Sequence, residues 1–185
     1  METPTDRELV LRIRQGELED YGELVRRYQS SVFNVCYRLL GERRDAEDMT
    51  QDTFIRAYQR LHTFDASRPF GPWIRRVAAN LTLNHLKRKT TPQVPLDEER
   101  DRQYQSPSAN PETTYVRREQ AAIIREAILS LPPHYRAVIE LRHFQDMDYQ
   151  QMAETLNLPL NTVKSHLFRA RKLLAQALSR EQGGK

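Results

Sequence analysis

Four side chains at helical spacing, Arg76, Asn80, Asn84 and Lys87, bring two amides and two cations onto one face. An amide both donates and accepts, so it can read the edge of an unpaired base, while the cations neutralise phosphate. The loop Phe64-Asp65-Ala66-Ser67-Arg68 precedes this stretch, and Arg88 closes it. Trp73 lies on the opposite arc with Phe70, Ile74, Val77, Ala78 and Leu81, which places it in a core rather than on a base. For Phe64 two readings stay open, a stacking surface or an inward anchor.

A second constellation lies near the C-terminus. A short helix carrying Met152, Ala153 and Leu156 is expected to end at Asn157, a residue that tolerates left-handed backbone, with Leu158, Pro159 and Leu160 as the turn and Asn161 as the next N-cap. Beyond it Val163, Leu167, Ala170 and Leu174 form a core stripe. The outward stripe holds Thr162, Ser165, Phe168, Arg169 and Lys172, with Lys164 at its edge. From Asn161 to Lys172 there are four basic residues and no acidic one, so the pattern reads as a helix-turn-helix whose second helix enters a major groove.

The third constellation has the opposite sign. Asp45, Asp48 and Asp52 share a helix face, across from Ala46, Thr53, Phe54, Ala57 and Leu61. Such a stripe repels phosphate. It is either a solvated face with acids near a helix N-terminus, or a docking surface for a basic protein.

Catalysis finds little support. The sequence has no Gly-rich phosphate loop, His-Glu-x-x-His pattern, Cys-x-x-Cys pair or nucleophile elbow, and its histidines at 62, 85, 134, 143 and 166 lack metal-ligand spacing. No metal site and no cofactor are expected. A lone cysteine, Cys36, closes no intrachain disulfide, which fits a reducing compartment. The opening Met1-Glu2-Thr3-Pro4-Thr5-Asp6 has no basic-then-apolar leader, and no apolar run approaches the roughly 18 residues of a membrane span. A soluble intracellular protein is expected.

The elements that must position these groups are helical. Few glycines and no sustained alternation argue against a sheet. Helices are expected from Asp6 as N-cap to about Gly16, through Tyr21, Leu24, Val25, Tyr28, Val32, Val35, Cys36 and Leu39 to Gly41, from about Asp45 to Leu61, and from Pro69 or Pro72 to Lys89. Pro92, Pro95, Pro107 and Pro111 then interrupt the periodicity. After this stretch a helix through Ile123, Ile124, Ala127, Ile128 and Leu131 meets a break at Pro132-Pro133, with three more helical stretches to about Ser179. The fold class is therefore all-α: two small helical domains, residues 1–91 and 121–185, joined by a flexible linker over 92–120. Net charge follows these bounds at +3, −2 and +3 from N- to C-terminus, so both domains are basic and the linker is not.

These three segments, in this order, resemble the bacterial extracytoplasmic-function (ECF, group 4) sigma factors, the smallest of the sigma-70 family, over nearly the whole chain. Asp45 to Gln59 is similar to the helix by which they dock on the clamp coiled coil of RNA polymerase. Phe64 to Lys89 is similar to their -10 melting and recognition segment, and Leu131 to Leu178 to their region 4. Asn161-Thr162-Val163-Lys164-Ser165-His166-Leu167-Phe168-Arg169-Ala170-Arg171-Lys172-Leu173-Leu174 matches the -35 recognition helix.

The resemblance implies a non-enzymatic factor that binds core RNA polymerase, directs promoter-specific initiation and helps melt the promoter. It holds the -35 element as duplex and captures a flipped -10 base from a single strand. It implies polymerase contacts at Asp45, Asp48, Gln51 and Asp52. The -10 contacts are Phe64, Asp65, Ala66, Ser67, Arg68, Arg76, Asn80, Asn84, Lys87 and Arg88; those at -35 are Asn161, Thr162, Lys164, Ser165, Phe168, Arg169 and Lys172. An anti-sigma factor joins the candidate partners and a membrane does not; the location implied is the cytoplasm, nucleoid-associated when bound to polymerase. The loop departs from the family's more usual basic residue and glycine after the phenylalanine, which leaves the -10 base preference open. The alternative from another class is a stand-alone helix-turn-helix regulator with an N-terminal sensing domain, which would leave the acidic face and the Asn80 stripe without a task.

Overall fold

The computed structural model describes residues 3–90 and 113–182, with side chains placed for 3–88 and 120–179. Among these residues every regular element is helical. Helix α1, Asp6–Arg14, begins at a capping box in which the Thr5 hydroxyl accepts from the Glu8 amide and the Glu8 carboxylate accepts from the Thr5 amide. The cap is thus Thr5 and not Asp6; Asp6 instead pairs with Arg27 at 2.9 Å and accepts from the Tyr28 hydroxyl.

Helix α2, Glu19–Leu40, is the spine of the N-terminal half. Leu24, Val32, Val35, Cys36 and Leu39 recur along one stripe and are fully buried against α1, α3 (Arg43–Arg60) and α4 (Phe70–Thr90). At about 1.5 to 3 kcal/mol per buried aliphatic side chain, this stripe is a main source of stability for that half. Ala46, Ala57, Ala78 and Ala79 are buried too; with no more than a methyl group each, they let α3 and α4 approach closely. Gly41 ends α2 in the left-handed conformation, φ +77°, as its position after the last periodic residue predicts.

The C-terminal half comprises α5 (Thr113–Leu129), α6 (Pro133–Ile139), a π-helical turn (Glu140–Phe144), α7 (Tyr149–Leu156) and α8 (Leu160–Gln182). Its core is built from Ile128, Leu131, Val138, Ile139, Leu141, Met147, Met152, Leu156, Val163, Leu167 and Ala170. Helix α5 reaches further back than expected, because Thr113 to Gln120 contains neither proline nor glycine. The expected linker over 92–120 therefore overlaps α5 in its final stretch, and its residues up to 112 lie outside those described. The break at Pro132-Pro133 separates α5 from α6 as expected, with Pro133 in the first turn, where no amide donor is needed. Among the described residues no helix is long and apolar enough to cross a membrane.

Replacing Gly41 by alanine is expected to lower stability by about 1 kcal/mol or more, since a Cβ at this φ is strained and would lie 2.7 Å from Nη1 of the buried Arg136. The midpoint of urea unfolding followed by circular dichroism measures it; an unchanged midpoint would show that the backbone can leave the left-handed region there.

Candidate nucleic-acid interface and docking face

Helix α8 is presented by the turn before it. Asn157 takes φ 54° and ψ 50°, which lets α7 stop in one residue, and the Leu158 amide returns to the Ala153 carbonyl at 3.0 Å. Helix α7 starts at a capping box between Asp148 and Gln151, a pair with the right spacing that pattern reading passed over. The expected cap at Asn161 is not observed. The carbonyl of Pro159 accepts from the amides of Thr162 and Val163, so the helix begins at Leu160 and Asn161 is an exposed residue of its first turn.

With Val163, Leu167 and Ala170 buried and Leu174 half-buried, the outward face of α8 is set. Asn161, Lys164, Ser165, Phe168, Arg169 and Lys172 are exposed, with Thr162 half-exposed between them. Phe168, 72% exposed, is the large apolar side chain on that face. An aromatic ring left in water is unfavourable unless a partner covers it, and a thymine methyl in a major groove is such a partner. His166 sits at the edge near His134 and Tyr135, with ring centroids 5.2 and 5.7 Å away. Burial first, then the charges of His134 and Arg169, hold its pKa below the usual imidazole value. It is therefore neutral at pH 7 and adds no charge to the face.

On α4 the stripe forms as the spacing predicts: Arg76, Asn80, Asn84, Lys87 and Arg88 are all exposed, while Phe70, Ile74 and Ala78 are buried and Trp73 is half-buried in the core. The two readings of Phe64 resolve inward. Its ring is 5% exposed and stands 4.8 Å from that of Trp73 and 5.6 Å, edge-on, from that of Phe70. In this state Phe64 anchors the loop and offers no face to a base. What the loop presents is a compact turn. The Asp65 carboxylate accepts from the Ser67 amide at 3.0 Å and the Ser67 hydroxyl at 2.7 Å, and the Arg68 amide donates to the Asp65 carbonyl at 3.0 Å. The Ser67 hydroxyl and amide hold the Asp65 carboxyl below its usual pKa, so the turn keeps its charged acceptor throughout the neutral range.

Sequence reading missed the residue that ties this loop down. Arg14, at the end of α1, donates from Nε and Nη2 to the Leu61 carbonyl at 3.2 and 2.7 Å, and from Nη2 also to the Phe64 carbonyl. Its partners lie 47 and 50 positions away and are backbone atoms, so no residue pattern marks them.

On α3 the buried side is the expected one, Ala46, Thr53, Phe54 and Ala57, with Met49 added, and Leu61 is buried just beyond the helix. Asp48, Gln51 and Asp52 are exposed and Asp45 is half-buried. Asp48 and Asp52 form no ion pair with a described residue, and Ile55, 58% exposed, stands one turn on from Gln51 and Asp52. Free carboxylates around an uncovered isoleucine suit a protein partner better than water or DNA. Ile55 was legible at i+3 and i+7 from the aspartates. The helix is held from behind by Tyr21, whose hydroxyl donates to the Phe54 carbonyl at 2.6 Å.

Comparison with known proteins points the same way. The family model for sigma-70 region 2 matches residues 24–91, and that for sigma-70 region 4 matches residues 121–174. The chain is 33% identical to the ECF RNA polymerase sigma factor SigW of Bacillus subtilis, over 91% of its own length and 94% of that protein. It is 30% identical to the RNA polymerase sigma-H factor of Pseudomonas aeruginosa, over 94% and 93% of the two chains. Among solved structures, the sigma factor RpoE of Bartonella quintana in complex with the anti-sigma factor NepR superposes with a TM-score of 0.57 at 18% identity, covering 87% of this chain and 98% of that one. The last is a likeness of fold.

Arg14→Ala should speed hydrogen exchange of the Phe64 to Arg68 amides several-fold and lower stability by about 1 kcal/mol. Arg14→Lys should not restore protection, because one ammonium cannot reproduce the forked guanidinium. Unchanged exchange in both variants would remove Arg14 from this role.

Proposed function

Since the chain belongs to the ECF sigma factors of the sigma-70 family and directs transcription initiation, we propose that its three exposed faces divide that work between polymerase and promoter. The observation that carries the division is the placement of the carboxylates. The unpaired, exposed Asp48 and Asp52 stand beside the exposed Ile55 on α3, a helix that also exposes Arg43, Arg44, Arg56 and Arg60, whereas α4 and residues 160–179 of α8 carry cations and no acidic side chain.

The α3 face, Asp45, Asp48, Gln51, Asp52 and Ile55, docks on a basic, partly apolar surface of core polymerase. Arg76, Lys87 and Arg88 neutralise phosphates of the opened strand, while Asn80 and Asn84 read base edges. A flipped base has lost a few kcal/mol of stacking and pairing, and a turn already fixed by Asp65, Ser67 and Arg14 meets it without further ordering. Phe64 acts from beneath, as the anchor that sets the height of Asp65, Ala66, Ser67 and Arg68. In the second half Lys164, Ser165, Phe168 and Arg169 enter the -35 major groove, with Asn161, Thr162 and Lys172 toward the backbone.

We read the factor as non-enzymatic and cytoplasmic. Its one cysteine, Cys36, is buried, and burial pushes its thiol pKa up, the reverse of an activated nucleophile. A protein of the anti-sigma class is the proposed regulator. The alternative of a stand-alone regulator gains no support, because region 2 matches the half which that reading assigned to sensing.

Run-off transcription with core polymerase on promoters selected from genomic DNA tests the whole; no transcript from any of them would overturn it. Neutralising Asp48 and Asp52 to asparagine should weaken core binding about tenfold, on the order of 1.4 kcal/mol, with wild-type unfolding. Arg169→Ala should weaken -35 duplex binding by about 1 to 3 kcal/mol in a base-dependent way, whereas an equal loss on every sequence would assign Arg169 to phosphate.

A further inference from the structure

The outward stripe of α3 changes sign along its length. Asp45, Asp48 and Asp52 are followed at the same helical spacing by Arg56 and Arg60, both exposed, and residues 53 to 64 contain no acid. Arginines elsewhere are held by carboxylates: Arg38 pairs with the buried Glu140 at 2.7 Å and Arg27 with Asp6 at 2.9 Å. Arg56 donates to the Gln59 amide oxygen at 3.3 Å, and neither it nor Arg60 has an ion pair with a described residue. A cation at a helix C-terminus is favoured by the macrodipole, which accounts for Arg60 as a stabiliser of α3 but not for what surrounds it.

Arg60 leads into the turn that carries the -10 loop. Its carbonyl accepts from the Thr63 hydroxyl at 2.8 Å, the Phe64 amide donates to the Leu61 carbonyl at 3.2 Å, and Arg14 holds the Leu61 and Phe64 carbonyls. Arg60, the exposed His62 and the loop Asp65 to Arg68 are therefore one fixed unit, with the Cα atoms of Arg60 and Asp65 within about 17 Å. The loop's own acid is already engaged, since the Asp65 carboxylate accepts from Ser67 and lies 3.4 Å from Arg68 Nε. Asp52 lies about 12 Å back from Arg60 along the helix axis, more than a Debye length at physiological salt. Cations thus set the potential beside the loop.

Helices α3 and α4 pack on each other with the loop at their joined end, and the Arg76 to Lys87 stripe runs about 16 Å away from that end. A single strand lying along α4, with one base turned into the loop, leaves the loop on the side where Arg60 and His62 stand. We propose that Arg60, with His62 beside it, binds a phosphate of the strand just past the flipped base, so that the nucleic-acid interface crosses the loop onto the last turn of α3. A hold on both flanks of the base opposes closure of the strand onto its complement. The assignment rests on the reading of α4 and the loop as the single-strand interface.

Fluorescence anisotropy of the assembled holoenzyme with labelled single strands tests it. The strands carry the -10 element of a promoter from the run-off selection, alone or with about five further nucleotides at one end or the other. Each phosphate contact to a single strand adds about 0.7 to the slope of log K against log salt. Arg60→Gln should reduce the magnitude of that slope by about 0.7, and the affinity about fivefold at 0.1 M salt, for the element extended at one end only. The bare element and the opposite extension should bind as they do to wild type. Arg60→Lys should keep the wild-type slope, because a phosphate accepts a point charge in place of a fork. Arg44→Gln, about 24 Å away at the start of α3, should leave strand binding unchanged. Wild-type slopes in Arg60→Gln, an equal loss on all three strands, or the same loss in Arg44→Gln would overturn the assignment. So would weaker binding of Arg60→Gln to core polymerase with normal strand binding once assembled, which would give Arg60 to the docking face. Failure of the wild-type holoenzyme to hold any strand would instead overturn the single-strand reading of α4.

Discussion

The buried stripe of α2 is the constraint on which the rest of the structure depends. Leu24, Val32, Val35, Cys36 and Leu39 give α1, α3 and α4 a common surface, and each of those helices turns its own apolar side toward it. Once that is done, the orientation of α3 and α4 is no longer free. Burying Ala46, Thr53, Phe54 and Ala57 obliges Asp48 and Asp52 to face outward, and burying Phe70, Ile74 and Ala78 does the same for Arg76, Asn80 and Asn84. The exposed faces are the complement of the core. Nothing further is needed to aim them.

This explains which parts of the molecule were legible in the amino-acid sequence. Wherever a role follows from helical periodicity, residue type and spacing suffice: the α4 stripe, the outward face of α8, the Asn157 exit and the Gly41 terminus all stand as spacing places them. Local rules also show their limits. Asp6 and Asn161 are good caps by type, yet Thr5 has the capping-box partner Glu8 at the right distance, and the Pro159 carbonyl starts α8 one residue before Asn161 can cap it. In each case two acceptable starts competed within a few residues and the better hydrogen-bond set prevailed.

What could not be read is of another kind. Phe64 was ambiguous because a loop has no periodicity, and the decision came from Phe70 and Trp73, which happen to leave an aromatic slot beneath it. Arg14 binds carbonyls, which every residue has, so its partners carry no signature. The Arg38 and Glu140 pair is hidden for a further reason: each residue taken alone looks like one more surface charge on a charged helix, and only the fold brings them out of water together. Long-range polar contacts of this sort have no sequence period, whereas apolar contacts do.

Net charge illustrates the same point at the scale of the chain. A total of +4 suggests mild affinity for polyanions and little else. The fold places the unpaired Asp48 and Asp52 on α3 among exposed arginines, and leaves α4 and residues 160–179 of α8 with cations and no acid. With a Debye length of about 8 Å at physiological salt, an approaching partner responds mainly to the charges nearest to it. A phosphate strand approaching α4 therefore meets arginine and lysine with no acid on that helix, while a basic surface reaching α3 meets Asp48 and Asp52 between Arg44 and Arg56. On the proposed division of faces, screening lets one small protein attract partners of opposite charge, and the α2 stripe decides which side chains each of them meets.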